Sequence, residues 1–267
     1  MFLPDPLSIL LAMLVFVPLE RLFALRRNQR ILRKLWQLDT LYMLFNAVFV
    51  GLGIDALLFA ALLFTSTLAP AEFRAWVGGR PWFVQLPVLI ILSDLGFYTM
   101  HRLFHKIPWL WKFHAVHHSI EELDWLAAHR VHPLDQIMTK GVSLLPVFAL
   151  GFSAWPIAAY TFLYHWQSLL IHSNVRINFG PLGRIFATPR FHHWHHANHR
   201  EAYDKNFAGQ LSFLDAVFGT MHMPAMEMPR RYGTHEPVPL DYGAQLAFPF
   251  QQLRQPRSNQ EMAEIAK

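Results

Sequence analysis

The chain has 267 residues, of which 53% are hydrophobic and 15% aromatic, and its formal net charge is +5. This hydrophobic share exceeds that of an ordinary soluble domain and favours an integral-membrane protein with a substantial polar part. The absence of cysteine excludes disulfides, thiolate ligands and iron–sulfur clusters, so any metal site must use histidine or carboxylate. The basic residues flank apolar runs and form no aromatic-interleaved patch, which argues against nucleic acid as a partner.

Residues 1–81 predict two membrane anchors joined by a basic connector. Residues 7–19 are apolar and lack the cleavage site of a signal peptide. Six basic residues follow within residues 21–34, mixed with leucine, and predict an amphipathic interfacial helix on the cytoplasmic side. Residues 41–68 form a second apolar run that is long enough to span a bilayer. Asp55 interrupts this run, so one of its faces should turn toward protein.

Residues 82–222 predict the catalytic region. Residues 83–100 form a third span that carries Asp94 and runs into His101, and Pro108 should end this helix. An ionisable residue within a span is a candidate functional residue; the alternative for Asp94 is a hydrogen bond between packed helices. Residues 136–151 and 154–172 follow as two further spans or as a shallow hairpin.

The sequence therefore predicts a single all-α integral-membrane domain over residues 1–267. This domain would be a polytopic bundle of four or five transmembrane helices with a histidine-rich helical cap. With either number of spans, the chain returns to the cytoplasmic side before each histidine cluster. Residues 223–267 are expected to form a polar tail with a mobile end at residues 254–267.

Three histidine clusters share the spacing of one helical face. The first has the pattern i, i+4, and the other two have the pattern i, i+3, i+4. Their members are His101, His105, His114, His117, His118, His192, His195 and His196. Neutral imidazole is the commonest metal ligand, and one ion commonly takes four to six ligands, so eight imidazoles predict two metal ions. For residues 191–200 alone, a pH sensor or a solvated histidine-rich tract is the alternative.

The order HxxxH, HxxHH, HxxHH between apolar hairpins resembles the fatty acid hydroxylase and sterol desaturase superfamily of integral-membrane di-iron oxygenases. The resemblance covers about residues 94–219. It implies that the eight box histidines bind two iron ions and that His172, in the stretch His172-Ser173-Asn174, is a ninth ligand. Ser168 stands where some members have a further histidine. His165 is either its substitute or a hydrogen-bonded histidine of the hairpin.

The resemblance also implies supporting residues around the ligands. His132, in a His-Pro turn after the second box, is expected to support the ligands, as are His193 and His199. Neutral ligands leave the metal charge uncompensated, so carboxylates should hold the ring tautomers. The candidates are Asp94, Asp124, Asp135, Glu121 and Glu122. Three histidines fit no pattern and are expected at the surface: His129, His222 and His235.

By this resemblance the protein would use dioxygen and two external electrons to oxidise an unactivated C–H bond of a bilayer lipid, by hydroxylation or desaturation. The lipid could be a sterol, a fatty acyl chain, an ether lipid or a carotenoid. The sequence has no dinucleotide-binding fingerprint, so electrons should come from a b-type cytochrome or a ferredoxin at the cytoplasmic face.

Two other functions are disfavoured. A membrane zinc hydrolase lacks its HExxH motif here. A non-enzymatic metal carrier should distribute histidines along a path within the spans, whereas these gather at one end.

Overall fold

The computed structural model describes residues 6–224 and 227–252, so the mobile end predicted for residues 254–267 lies outside the described residues. Within the described ranges the chain is helical, with three short 3-10 segments and no β-strand, which confirms the all-α prediction. The helices are α1 (Pro6–Leu22), α2 (Trp36–Leu68), α3 (Ala71–Gly78), α4 (Trp82–Lys106), α5 (Pro108–His118), α6 (Pro133–Leu150), α7 (Ala154–His172), α8 (Pro189–His195), α9 (Phe213–Val217) and α10 (Tyr242–Gln252).

Two of the described helices are long and apolar enough to cross a membrane: Trp36–Leu57 of α2, and α4. Only 22% of the most apolar stretch of the first and 33% of the second is buried. Large apolar side chains such as Phe49 and Ile91 face outward. Because a core helix of a soluble protein would be mostly buried, these outward faces are suited to lipid. The other predicted spans form shorter helices of 17, 18 and 19 residues: α1, α6 and α7.

The basic connector is not the predicted amphipathic helix. Residues 23–35 run as turns and bends between α1 and α2, because their arginines find partners inside the protein. Arg33 is 2% exposed and forms ion pairs with Asp39 and, at 2.8 Å, with Asp124. Arg26 donates to the carbonyl oxygens of Pro229 and Arg230. The connector is therefore held by contacts with Asp124 and with residues 229 and 230. The prediction of an amphipathic interfacial helix is wrong.

The histidine-bearing helices converge because their ends meet. Helix α4 continues through its histidines to Lys106, and Pro108 then begins α5, as predicted from the proline. Helix α6 packs against both α2 and α4, and α7 packs against α4 and α8. A short turn joins α6 to α7, where Gly151 adopts a φ of 80° that suits glycine. This packing brings the C-terminal ends of α4, α5, α7 and α8 together.

The described part of the predicted tail is folded onto the bundle. Helix α10 packs against α5 and α2 and buries Phe248 beside Leu38 and Tyr42. Upstream of α10, Tyr232 is buried against Ile120. These contacts cover α5, one of the helices that bear histidines, and the residues that follow it.

Helices α4 and α6 cross closely at Gly96. A Cβ added at Gly96 would lie 2.9 Å from both the Cα of Ser143 and the carbonyl oxygen of Val142. Because these are main-chain atoms, the helices would have to separate. We expect Gly96→Ala to lower the free energy of unfolding by about 1–3 kcal/mol, measured as a lower unfolding midpoint in detergent. Gly243→Ala is the control, since its Cβ would make an ordinary 3.5 Å contact; equal midpoints for the two variants would contradict the prediction.

Candidate metal centre

The nine predicted ligands lie together in two groups. The first group is His101, His105, His114, His118 and His195, and the second group is His117, His172, His192 and His196. Within each group, one ring nitrogen from every residue lies within 4.8 Å of those of the others. All nine side chains are buried except His105, which is half-buried. The three boxes and the histidine at the end of α7 thus form two adjacent nitrogen clusters.

Helical geometry divides the boxes between the two groups. Residues four apart lie about 40° from each other around a helix, so the pair His114 and His118 stays in the first group, and the pair His192 and His196 in the second. Adjacent residues point about 100° apart. His117 therefore joins the second group, and His195 joins the first. Each HxxHH box consequently supplies ligands to both positions.

The nitrogens that face one another in the groups are Nε2 atoms. In the first group, Nε2 of His101 lies 2.9 Å from that of His114, and Nε2 of His118 lies 2.9 Å from that of His195. In the second group, Nε2 of His172 lies 3.1 Å from that of His117 and 2.8 Å from that of His192. Nitrogens at this separation either share a proton or surround a cation.

In two of these pairs, His101–His114 and His117–His172, the opposite ring nitrogens show that no proton is shared. Nδ1 of five ligands faces an oxygen at 2.6–2.9 Å, as follows: His101 with Phe207, His114 with Asp135, His117 with Arg130, His172 with Ser168 and His195 with Lys205. Four of these oxygens are carbonyls and one is a carboxylate, so Nδ1 carries the hydrogen and donates it. In a neutral ring Nε2 then presents a lone pair to its neighbours.

The charge state of the rings agrees with this assignment. Burial and neighbouring histidines lower the pKa of five box histidines well below the ordinary value; they are His114, His118, His192, His195 and His196. The rings are therefore neutral at pH 7, and Nε2 of His105 has no hydrogen-bond partner. Facing lone pairs repel unless a cation lies between them, so the donor set fits a metal ion in each group.

Asp94 acts on the site through the main chain. Its carboxylate contacts no ligand and accepts the N–H groups of Gly209, Gln210 and Leu211 at 2.7–3.0 Å. Gly209 suits this approach, because a Cβ there would make a tight contact of 3.1 Å with the Asp94 carboxylate oxygen. The adjoining backbone carries the Phe207 carbonyl that accepts from His101. The direct contact that the sequence suggested for Asp94 is absent, and its role is to fix this segment.

Asp215 holds the same segment from the other side. It accepts the N–H groups of Phe207 and Ala208 at 2.8 Å, and the hydroxyl of Thr220 donates to it. Nothing in the spacing of Asp215 in the sequence pointed to the site.

Of the other carboxylate candidates, only Asp135 touches a ligand. Its Oδ2 accepts from Nδ1 of His114 at 2.7 Å. Asp124 is paired with Arg33 and accepts the N–H of Ala127. The two glutamates contact the surface residue Lys34: Glu121 meets its ammonium, and Glu122 its N–H. The prediction that these three residues hold ring tautomers is therefore wrong, since Arg33 and Lys34 of the connector engage all three.

His132 does not support a ligand, contrary to expectation. It is the residue that caps α6: Nδ1 accepts the N–H of Leu134, and Nε2 donates to the Leu246 carbonyl, both at 3.2 Å. His193 contacts the hydroxyl of Tyr232 and the carbonyl of Ser173, the residue after ligand His172. These rings therefore brace the backbone around the site, and neither belongs to a nitrogen group.

The remaining histidines lie outside both nitrogen groups. His199 accepts the N–H groups of Arg230 and Arg231. His235 is exposed, as predicted, and His222 is half-buried. His129 is not at the surface: it lines an internal cavity, and burial lowers its pKa to about 3. His165 lines the same cavity and lies outside both nitrogen groups.

This cavity, of about 140 Å³, opens onto both nitrogen groups. Five ligands line it: His101 and His114 of the first group, and His117, His172 and His192 of the second. Its other walls come from α6, α7 and the 3-10 segment Trp125–His129. A small chemical group in the cavity could reach the space between the two positions.

The profile of the fatty acid hydroxylase family matches residues 86–220. The chain belongs to the fatty acid hydroxylase family. This confirms the resemblance drawn from the boxes, and the matched region contains all nine histidines of the two groups.

The relatives of the chain are named for several different lipids. The chain is 33% identical over 179 residues to the ornithine lipid hydroxylase OlsE of Rhizobium tropici, covering 66% of this chain and 53% of that protein. It is 36% identical over 127 residues to the alkylglycerol monooxygenase of Homo sapiens, covering 48% and 28%. It is 29% identical over 167 residues to the fatty acid hydroxylase vlmA of Lecanicillium sp, covering 57% and 44%. The chain thus spans about half or less of these relatives, and no solved structure matches.

Proposed function

We propose that the protein is a membrane-bound non-haem di-iron monooxygenase that hydroxylates an unactivated C–H bond of a lipid. The observation that carries this proposal is the pair of buried clusters of five and four imidazoles whose Nε2 lone pairs face one another. Each group would hold one iron. The bound pair would supply the activation of dioxygen, which inserts one oxygen atom into the C–H bond and releases the other as water, consuming two electrons and two protons.

The protein orients the ligands and keeps bulk water away. Carbonyl oxygens fix the rings of His101, His117 and His195, and Asp135 adds a negative charge beside His114. The first group offers five imidazole nitrogens, more than the four ligands that zinc almost always takes, and imidazole suits iron.

The site also weighs against the two other functions. A zinc hydrolase needs a carboxylate poised over the metal as a base, but the two carboxylates that contact ligands engage Nδ1 atoms: Asp135 that of His114, and Asp204 that of His105. A metal carrier needs ligands that exchange along a path. Here Nδ1 of five ligands is held by fixed acceptors, which suits a resident metal centre.

The proposed topology places the protein across the membrane four or five times with both histidine groups on the cytoplasmic side. The support is the basic stretch after α1 and the outward apolar side chains of the shorter helices. Leu14 of α1 is 61% exposed, and Trp155 and Phe162 of α7 are 67% and 62% exposed. These faces would lie against lipid.

The substrate is proposed to be a lipid that enters from the bilayer, and hydroxylation is favoured over desaturation. Both choices follow from the relatives, which are named as hydroxylases or monooxygenases of ornithine lipid, alkylglycerol and fatty acid. A sterol substrate finds no support among them.

The decisive experiment is lipid profiling of cells with and without the protein under ¹⁸O₂. We expect a lipid whose mass increases by one ¹⁸O atom in cells that carry the protein, and purified protein that contains about two iron ions. A protein that is active without dioxygen and with zinc alone would overturn the proposal.

Electrons are proposed to come from a b-type cytochrome or a ferredoxin that docks near His195. The Lys205 carbonyl, which accepts from His195, lies three residues from the short segment Arg200–Ala202, in which Arg200 and Glu201 are exposed and Ala202 is buried. Arg200, Arg230 and Arg231 are exposed around His199. A basic surface of this kind suits an acidic carrier.

We expect Arg230→Glu with Arg231→Glu to raise the KM for a reduced acidic donor by about 10-fold and to weaken its salt dependence. Turnover with a small chemical reductant should be unchanged. Arg80→Glu is the control, because Arg80 precedes α4 at the end opposite His101. An unchanged KM in the double variant would contradict this docking site.

A further inference from the structure

Lys140 places an ammonium group in the cavity beside the histidine groups. None of the ion pairs or hydrogen bonds among the described residues includes it. Asp135, the carboxylate that lines the same cavity, is engaged by His114 and by the hydroxyl of Thr139. An interior cation without a counter-ion is costly, and ionisable residues near a membrane normally pair. Asp135 is thus directed at His114 and Thr139 and forms no ion pair with Lys140, so the ammonium group has no contacting anion among the described residues.

Two histidines that lie outside both nitrogen groups add hydrogen-bond donors to the cavity. His129 and His165 line the cavity with ring centroids 6.3 Å apart, and both interact electrostatically with Lys140. Each ring offers an N–H donor in its neutral form. Tyr164 is the other titratable group that lines this wall, and it too offers a donor. The side of the cavity around Lys140 is thus rich in hydrogen-bond donors.

We propose that this cavity binds the anionic oxygen group of an amphiphile, either a carboxylate or a phosphate, with Lys140 as the counter-charge and His129 and His165 as further donors. That the amphiphile is the substrate rests on the proposed oxygenase function. A cavity of about 140 Å³ resembles in size one that holds benzene. It therefore takes the polar end and the adjoining carbons, while the rest of the lipid stays outside.

The helices set the distance from the anion to the histidines. Five residues of α6 separate Lys140 from Asp135, and seven residues of α7 separate His165 from His172. These steps correspond to about 7.5 Å and about 10.5 Å of helix rise. A bound anionic group would therefore hold a C–H bond of the same molecule at a fixed distance from the metal groups, and Lys140 would determine which carbon is oxidised.

The test measures binding by the purified full chain, loaded with iron, to hexanoate, hexyl phosphate and the neutral hexanamide. We expect one or both anions to bind at least about 10-fold more tightly than the amide. Lys140→Gln should reduce anion binding to the level of the amide without changing amide binding or iron content. Lys140→Arg, which keeps the charge, and Lys106→Gln, which removes an exposed lysine, should both keep the preference. The tighter of the two anions identifies the group as carboxylate or phosphate.

Two results would overturn the inference. Equal binding of all three amphiphiles would show that the cavity does not select an anion. An anion preference that persists in Lys140→Gln would place the anion on the metal ions. Because binding needs neither dioxygen nor an electron donor, a Lys140-dependent preference without any lipid oxidation would refute only the oxygenase function. Lipid oxidation without that preference would refute only this inference.

Discussion

Replacing His195 with alanine is expected to release metal and abolish turnover. His195 belongs to the group of five nitrogens, its Nε2 lies 2.9 Å from that of His118, and its Nδ1 donates to the Lys205 carbonyl. Loss of even an outer partner of a ligand costs 10–100-fold in affinity or activity, so loss of the ligand itself should cost more than about 100-fold. The measurements are iron per chain by elemental analysis and the rate of lipid oxidation.

Two other histidines serve as controls for this variant. His235→Ala removes an exposed ring and should retain both iron and activity. His193→Gln removes a buried ring from the same helix whose nitrogens bond to Tyr232 and Ser173, and it should retain iron even if the protein becomes less stable. If His195→Ala keeps as much iron as these two variants, the assignment of His195 to the first group is refuted.

The helical arithmetic of the boxes predicted the nitrogen groups because ligand direction depends on local geometry. The pairs His101/His105 and His192/His196 needed only a helix in order to point together, and α4 supplied one through the continuation of a span. The 100° step between adjacent residues explains why His117 and His195 point away from the other ligands of their boxes. Which group each of them joins was not predicted, because it depends on how α5 and α8 face each other.

The supporting contacts were predicted less well because many of them come from the main chain. The carbonyls of Phe207, Arg130 and Lys205 orient ligands, and a carbonyl carries no sequence signal. The positions of charged side chains were predicted wrongly where the structure pairs them with charged residues elsewhere in the sequence. Arg33 belonged to an expected surface helix, yet Asp39 and Asp124 draw it into the interior.

Asp135→Asn is expected to weaken metal binding without removing a ligand. The carboxylate accepts from Nδ1 of His114 at 2.7 Å, which fixes the ring and increases the basicity of Nε2. An asparagine keeps the shape but loses the charge, and its amide nitrogen cannot accept from Nδ1. We expect a 10–100-fold loss of metal affinity, measured as release of iron at a lower chelator concentration and accompanied by slower turnover.

The control is Asp55→Asn, which makes the same chemical change at an exposed position of α2 and should leave the chelator midpoint unchanged. A second comparison separates charge from shape: Asp135→Glu keeps the charge, so it should retain more metal than Asp135→Asn even though its carboxylate is displaced. If Asp135→Asn and the wild type release iron at the same chelator concentration, the His114 ring is held by packing alone. The negative charge of Asp135 would then contribute nothing to the first metal position.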